Sequence, residues 1–170
     1  MVSPSYRVLI VDDEEMMRSF LLSLFSRNGH HCEATEDGRM ALDKIRSRSF
    51  DAAIVDIVMP GMDGITLTKE IQKLDPHLSV MIITGHTVEH SAESAIGAGA
   101  REFIKKPFSV LEFTLRFNKM MRDREIFRQI EAKKGEILFN SNRKSQEKIR
   151  ELERELETLK GRLSSRYFSR

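Results

Sequence analysis

The sequence has a single cysteine and no long apolar run. Cys32 is the one cysteine among 170 residues, so no disulfide can form within the chain. No apolar stretch approaches the ~20 residues that a membrane-spanning helix needs. The beginning, MVSPSYRVLIVDD, lacks the apolar run of a secretory signal. These absences argue against a disulfide-stabilised scaffold and a membrane protein. We therefore expect a cytoplasmic protein with an ordinary hydrophobic core.

Charge is distributed unevenly along the chain. The sequence is 40% hydrophobic and 32% charged, which is compatible with a packed core, and its net charge is +2. Residues 1–115 carry 12 Lys and Arg against 17 Asp and Glu, whereas residues 116–170 carry 16 against 9. The change from an acidic to a basic segment indicates a boundary between a compact domain and a tail.

Short apolar segments alternate with segments of helical spacing through the acidic part. Three strands are clear, YRVLIVDD, DAAIVDIV and SVMIITG, and two are weaker, HHCEAT and REFIKK. Between them, apolar residues recur every three or four positions, as on one face of a helix. Five alternations of strand and helix are typical of an α/β fold with a doubly wound, five-stranded parallel sheet.

Polar residues follow four of the five predicted strands. Asp12 and Asp13 follow the first strand, Asp56 ends the third, Thr84 ends the fourth and Lys106 follows the fifth. In a doubly wound sheet, ligands bind beyond the carboxyl ends of the strands. We therefore expect these five side chains to lie at one site.

The predicted site combines three acids with a hydroxyl and an ammonium group. Three neighbouring carboxylates repel one another unless a cation neutralises them, and oxygen ligands favour Mg²⁺. A carboxylate beside Mg²⁺ is a suitable phosphoryl acceptor, because phosphoryl transfer depends mainly on positioning and charge neutralisation. Lys106 and Thr84 could bind phosphoryl oxygens. The residues predict a magnesium-dependent phosphoryl-accepting site.

Four motifs, in this order, resemble the receiver domain of two-component response regulators. They are VDD at 11–13, DIVMPGMDG at 56–64, ITG at 83–85 and KKPF at 105–108. The resemblance covers about residues 5–122 and leaves residues 123–170 as a tail. It implies a flavodoxin-like strand order of 2-1-3-4-5. It also implies a sensor histidine kinase or a phosphotransfer protein as partner, and a signalling role rather than an enzymatic one.

The resemblance implies roles for the acids. Asp56 would be the phosphoacceptor. Asp13 and Asp56 would bind Mg²⁺ directly, together with the backbone carbonyl of Val58, and Asp12 would act through water. The apolar Val58 lies two residues after the acceptor, where side chains line the approach to the phosphoryl group.

The resemblance also implies how a signal would leave the site. Thr84 and Lys106 would contact the phosphoryl group, and Phe103 stands where the family has an aromatic switch residue. The peptide bond between Lys106 and Pro107 would be cis. The surface formed by the fourth helix, fifth strand and fifth helix would then change on phosphorylation.

The tail predicts a long helix and a coiled-coil seam. Apolar residues lie along one side of the long helix, namely Phe113, Phe117, Met120 and Phe127. After a break, apolar residues recur at spacings of 3, 4, 3 and 4, namely Ile149, Leu152, Leu156, Leu159 and Leu163. These are coiled-coil a and d positions, with Asn142 at the preceding a position, and they predict a parallel homodimer.

Three alternatives stay open on the sequence alone. A magnesium-dependent phosphatase also uses a strand-end Asp, but that family has a D-x-D pattern after its first strand, where this chain has DDEE. A DNA-binding regulator could use NRKSQEKIR as a basic region. The segment matches such a region poorly, because it contains Glu147 and has no stripe of arginines. The third alternative is that the chain is a fragment of a longer regulator, either an enhancer-dependent transcription activator or a cyclic-dinucleotide enzyme.

Overall fold

The computed structural model describes residues 4–85, 92–141 and 146–167. The strands are β1 (Arg7–Val11), β2 (His31–Thr35), β3 (Ala52–Asp56), β4 (Ser79–Thr84) and β5 (Glu102–Lys105). The helices are α1 (Glu15–Arg27), α2 (Gly38–Ser47), α3 (Gly64–Leu74), α4 (Ala92–Gly97), α5 (Val110–Ser141) and α6 (Gln146–Tyr167). The sequence predicts the fourth helix over residues 88–97, of which residues 88–91 lie outside the described part.

The five strands form one parallel sheet in the order β2-β1-β3-β4-β5. This confirms the predicted fold class and strand order. Every residue of β3 and β4 is buried, as expected for central strands covered by helices on both faces. Strand β1 pairs with both β2 and β3, so the chain turns to opposite sides of β1. The carboxyl ends of β1 and β3 therefore lie side by side at the point where ligands bind in such sheets.

One face of the sheet forms the main hydrophobic core with α2, α3 and α4. Its buried members include Leu9, Val55 and Ile82 from the strands, and Leu67 and Ile71 from α3. The start of α3 is fixed by Asp63: its Oδ1 accepts a hydrogen bond from the Thr66 amide at 2.8 Å. This cap positions the loop that joins β3 to α3.

An aromatic cluster joins α1 and α5. Phe25 of α1 contacts Phe113 and Phe117 of α5 edge to face, with ring centroids 5.7 and 4.8 Å apart. Phe113, Phe117 and Met120 are all buried. The sequence places them along one side of a long helix. In the structure they are covered within the first compact unit, where Phe25 contacts both phenylalanines.

The chain divides into two compact units, Met1–Met120 and Met121–Arg170. In the second unit, Leu159 of α6 is buried with Ile126 and Ile130 of α5, and Leu156 and Leu163 pack against them. Across the same pair of helices, Lys133 Nζ lies 2.8 Å from Glu155 Oε2.

The leucine seam therefore contacts a helix of its own chain, where we predicted a second protomer. The physical reason is that α5 carries apolar residues at the same spacing, and a helix on the same chain has a high effective concentration. Asn142, the predicted a position before the seam, lies outside the described residues. Among the described helices, none has the length and apolar character required to cross a membrane.

Candidate functional site

Lys106 lies between two of the predicted acids. Its Nζ is 3.0 Å from Asp56 Oδ1 and 3.2 Å from Asp12 Oδ2. Asp12 follows β1, Asp56 ends β3 and Lys106 follows β5, so residues far apart in sequence meet at one edge of the sheet. The peptide bond after Lys106, to Pro107, is cis, as the resemblance implied. The sequence prediction that these three side chains come together agrees with the structure.

Asp12 and Asp56 are buried and held by backbone amides. Asp12 Oδ1 accepts a hydrogen bond from the Glu14 amide at 2.9 Å, and Asp56 Oδ2 accepts one from the Val58 amide at 2.8 Å. Burial raises the pKa of Asp12, and the charge of Asp56 adds to the effect. Burial likewise raises the pKa of Asp56, with a contribution from the charge of Asp13. The ammonium of Lys106 opposes both shifts without cancelling them.

Lys106 responds to the same charges in the opposite sense. Burial alone would lower the pKa of its ammonium group, but the hydrogen bonds and charges of Asp56 and Asp12 outweigh burial and raise it. The ammonium is therefore firmly charged in a pocket with excess negative charge. Such a pocket favours an additional cation or a ligand that brings one.

The remaining predicted residues differ in burial and in their contacts. Asp13 is exposed, and its carboxylate is close enough for its charge to act on Asp56. Thr84 is fully buried at the end of β4, and its carbonyl accepts a hydrogen bond from the Lys106 amide at 2.7 Å. Phe103 of β5 is partly buried and packs against the main core. Val58 is exposed on the loop after β3.

The residues of the site fit Mg²⁺ in their chemistry, although they do not form a closed cage. In the parts of the chain that the structure describes, no three His, Cys, Asp or Glu side chains are grouped so that they could hold a metal ion. The predicted acidic trio is thus not preformed, because the Lys106 ammonium occupies the space between Asp12 and Asp56. The donors are nevertheless hard carboxylate oxygens with raised pKa values, which a divalent cation would stabilise in their charged form.

Three neighbours of the site were missed in the sequence. Glu14 Oε1 lies 3.5 Å from Lys106 Nζ, and Arg18 donates hydrogen bonds to the backbone carbonyls of Asp12 and Asp13. Gly64 lies against the backbone of Asp56 and Ile57 so closely that a Cβ there would be 2.9 Å from Ile57 Cα. The glycine stands within a quoted motif, but nothing in the sequence shows which atoms approach it.

Comparison with known proteins places this site in a family. The family model of the response regulator receiver domain matches residues 8–118 of this chain. The chain belongs to this family. Receiver domains are the signalling domains of two-component response regulators, and the match ends before the second compact unit begins.

Individual relatives of the receiver domain cover the same region. The response regulator MprA of Mycolicibacterium vanbaalenii is 32% identical over 116 residues, which are 68% of this chain and 50% of MprA. The chemotaxis protein CheY of Bacillus subtilis is 36% identical over 118 residues, 69% of this chain and 98% of CheY. The crystal structure of NtrX from Brucella abortus in complex with ADP has a TM-score of 0.71 and 32% identity, over 75% of this chain and 30% of NtrX. The chain thus spans about half the length of MprA.

Proposed function

We propose that this receiver domain accepts a phosphoryl group on Asp56 from the phosphohistidine of a sensor histidine kinase or a phosphotransfer protein. The observation that carries the proposal is the position of Asp56. It is a buried carboxylate at the carboxyl end of the central strand β3, with Lys106 Nζ 3.0 Å from its Oδ1. Membership of the receiver family supports the same role.

The chain's own residues would act by positioning and charge. An oxygen of the Asp56 carboxylate forms a bond to phosphorus while the bond from phosphorus to the partner's imidazole nitrogen breaks, and the imidazole keeps the electron pair. The Val58 amide orients the carboxylate through its bond to Oδ2. Lys106 moves its ammonium from the carboxylate to a phosphoryl oxygen, and the Thr84 hydroxyl binds another. The chemistry ends there, apart from slow hydrolysis, so the domain acts as a switch.

Asp13, Asp56 and the backbone carbonyl of Val58 would hold Mg²⁺, with Asp12 acting through water. When bound, the ion would offset the negative charge of the phosphoryl oxygens as they approach the acids. The raised pKa values of Asp12 and Asp56 support this assignment, because burial disfavours the charged carboxylates and the Lys106 ammonium does not fully compensate for it.

Phosphorylation would change the surface formed by α4, β5 and α5. The phosphoryl group adds about −1.5 to −2 charge at neutral pH. The Thr84 side chain would move toward the phosphoryl group, and the Phe103 side chain would fill the space that Thr84 leaves. The two residues lie on neighbouring strands, since Phe103 of β5 pairs with Ile82 of β4. This surface already exposes large apolar side chains, Ile96 on α4 and Leu111 on α5. An exposed apolar patch is typical of a protein interface.

The partner for this surface would be a second copy of the chain, with the C-terminal helix forming part of the dimer. Support comes from the two-helix unit of α5 and α6, whose buried apolar residues among those described are Met121, Ile126, Ile130, Leu152 and Leu159. Two helices alone bury little apolar surface, and packing of two such hairpins would form a four-helix bundle.

Labelling with acetyl phosphate and MgCl₂ tests the acceptor assignment. We expect intact-mass spectrometry to show one phosphoryl group on the wild type and none on Asp56→Asn, and to show much slower labelling when Mg²⁺ is removed. Asp51→Asn is the matched control, because Asp51 immediately precedes β3 at the opposite end of the strand. A label that persists on Asp56→Asn would refute the assignment.

A further inference from the structure

Arg18 joins the first turn of α1 to the loop that carries two of the acids. Its Nη1 donates hydrogen bonds to the backbone carbonyl oxygens of Asp12 and Asp13, both at 2.8 Å. Its Nη2 lies 3.9 Å from Glu36 Oε2, in the loop between β2 and α2. The Arg18 side chain is only 18% exposed, so it is held in this position and is not a freely moving surface side chain.

The two bonds to consecutive carbonyls fix the orientation of the peptide units that follow Asp12 and Asp13. A second contact holds the same loop, since the Asp12 carboxylate accepts a hydrogen bond from the Glu14 amide at 2.9 Å. The backbone is thereby restrained on both sides of the Asp13 side chain, which is itself exposed. An exposed carboxylate has many rotamers, and the position of its Cα limits where its oxygens can reach.

We propose that Arg18 is a positioning residue for the cation site of the receiver domain: its guanidinium holds the β1–α1 loop so that Asp12 and Asp13 can bind Mg²⁺. The proposal rests on the proposed function in so far as that function assigns these acids to Mg²⁺. Groups that orient metal ligands without touching the metal typically change metal affinity by about 10–100-fold when they are removed.

The charge of Arg18 has the opposite effect on the metal. A guanidinium close to the site repels a divalent cation, so its removal by itself would strengthen Mg²⁺ binding. For Arg18→Gln, loss of positioning therefore predicts weaker Mg²⁺ binding, whereas loss of the charge predicts tighter binding. They also differ for Arg18→Lys, which keeps the charge but replaces the planar guanidinium with a single ammonium that cannot reproduce its geometry.

The experiment is a titration of the unphosphorylated full chain with MgCl₂, followed by amide chemical shifts in ¹H–¹⁵N spectra. We expect Arg18→Gln and Arg18→Lys each to bind Mg²⁺ about tenfold more weakly than the wild type. We expect Arg18→Lys to bind no more tightly than Arg18→Gln, because it loses the positioning and keeps the repulsion. Arg27→Gln is the matched control: it removes the same charge from the other end of α1 and should leave the affinity unchanged.

The outcomes separate this proposal from the phosphoacceptor assignment. If Arg18→Gln binds Mg²⁺ more tightly and Arg18→Lys binds like the wild type, Arg18 acts through charge alone and the positioning role is wrong. If the wild type shows no Mg²⁺ binding, the positioning role is also wrong. If the wild type binds Mg²⁺ but acetyl phosphate does not label Asp56, the phosphoacceptor assignment fails while the titration still decides the role of Arg18. Spectra of each variant without Mg²⁺ show that it is folded.

Discussion

At the scale of single residues, the site depends on how little space surrounds Asp56. Its carboxylate is fixed by the Val58 amide at 2.8 Å and by Lys106 at 3.0 Å, and the start of α3 lies directly behind its backbone. Gly64, the first residue of α3, makes this approach possible. The two backbone segments are close enough for the Gly64 amide to donate to the Ile57 carbonyl at 2.8 Å. A residue with no side chain is needed where two backbone segments come this close.

Gly64→Ala should therefore displace the acceptor. Its Cβ would lie 2.9 Å from Ile57 Cα and against the carbonyl oxygen of Asp56, so the β3–α3 loop must move. We expect a loss of about 1–3 kcal/mol in the free energy of unfolding, the range for overpacking of a closed site, together with slower labelling by acetyl phosphate. Urea denaturation and the labelling rate measure the two effects.

Gly135→Ala is the control for this change. Nothing lies within 4 Å of a Cβ at Gly135 in α5, so the same substitution should stabilise the helix by about 0.5–1 kcal/mol. Equal effects of the two substitutions would show that the closeness of Gly64 to Asp56 has no consequence.

At the scale of secondary-structure elements, His30 connects the end of α1 with β1 and α5. Its Nδ1 accepts a hydrogen bond from the Tyr6 amide at 3.3 Å, and its ring contacts Phe25 and Phe117, with centroids 5.8 and 5.7 Å away. The groups that face His30 from α1, from α5 and from the segment before β1 are thus aromatic rings and a backbone amide. Burial in this apolar setting lowers the pKa of His30.

This environment predicts a pH dependence of stability. Because the pKa of His30 is lower in the folded state, the unfolded chain binds the proton more tightly. The stabilisation is complete above the unfolded pKa of about 6.5 and is lost as the pH falls through the lowered folded value. Thermal unfolding of the wild type between about pH 5 and pH 8 should show a decline below about 6.5 that is smaller in His30→Phe. A His30 imidazole that titrates above 6.5 by NMR would contradict this reading.

The hairpin of α5 and α6 should be separable from the receiver domain. Leu159 is buried between the two helices with Ile126 and Ile130, and a carboxylate there would be desolvated among apolar side chains. We expect Leu159→Asp to reduce helical circular dichroism and to make α6 sensitive to limited proteolysis, while acetyl phosphate still labels Asp56 at the wild-type rate. The neighbouring exposed position supplies the control, Thr158→Asp, which should leave the hairpin intact. Slower labelling in Leu159→Asp would show that the two units are coupled.

At the scale of the whole molecule, the question is whether phosphorylation controls assembly. Sedimentation with and without beryllofluoride and Mg²⁺ should show a larger mass for the activated wild type and no change for Asp56→Asn. Removal of residues 146–170 should prevent the dimer, because the proposed bundle needs α6. A dimer of equal strength without α6 would assign dimerisation to the α4–β5–α5 surface alone, and a monomer in every sample would remove the dimer proposal.

The sequence by itself determined the fold and the meeting of three polar side chains. Strand ends in a parallel sheet meet at one edge, so the spacing of Asp12, Asp56 and Lys106 in the strand pattern was enough to predict that they meet, and the structure agrees. The cap at Asp63 was equally predictable, because a helix N-cap bonds to an amide only three residues away.

Only the tertiary structure decided contacts that depend on long side chains and on close backbone approach. Arg18 could have turned to solvent, and its bonds to two carbonyls depend on where α1 begins relative to β1. The seam of α6 is apolar at coiled-coil spacing whichever helix it faces, so its sequence could not choose between a second chain and α5. Local pattern specifies which face of an element is buried, whereas the partner of that face is set by the arrangement of the whole chain.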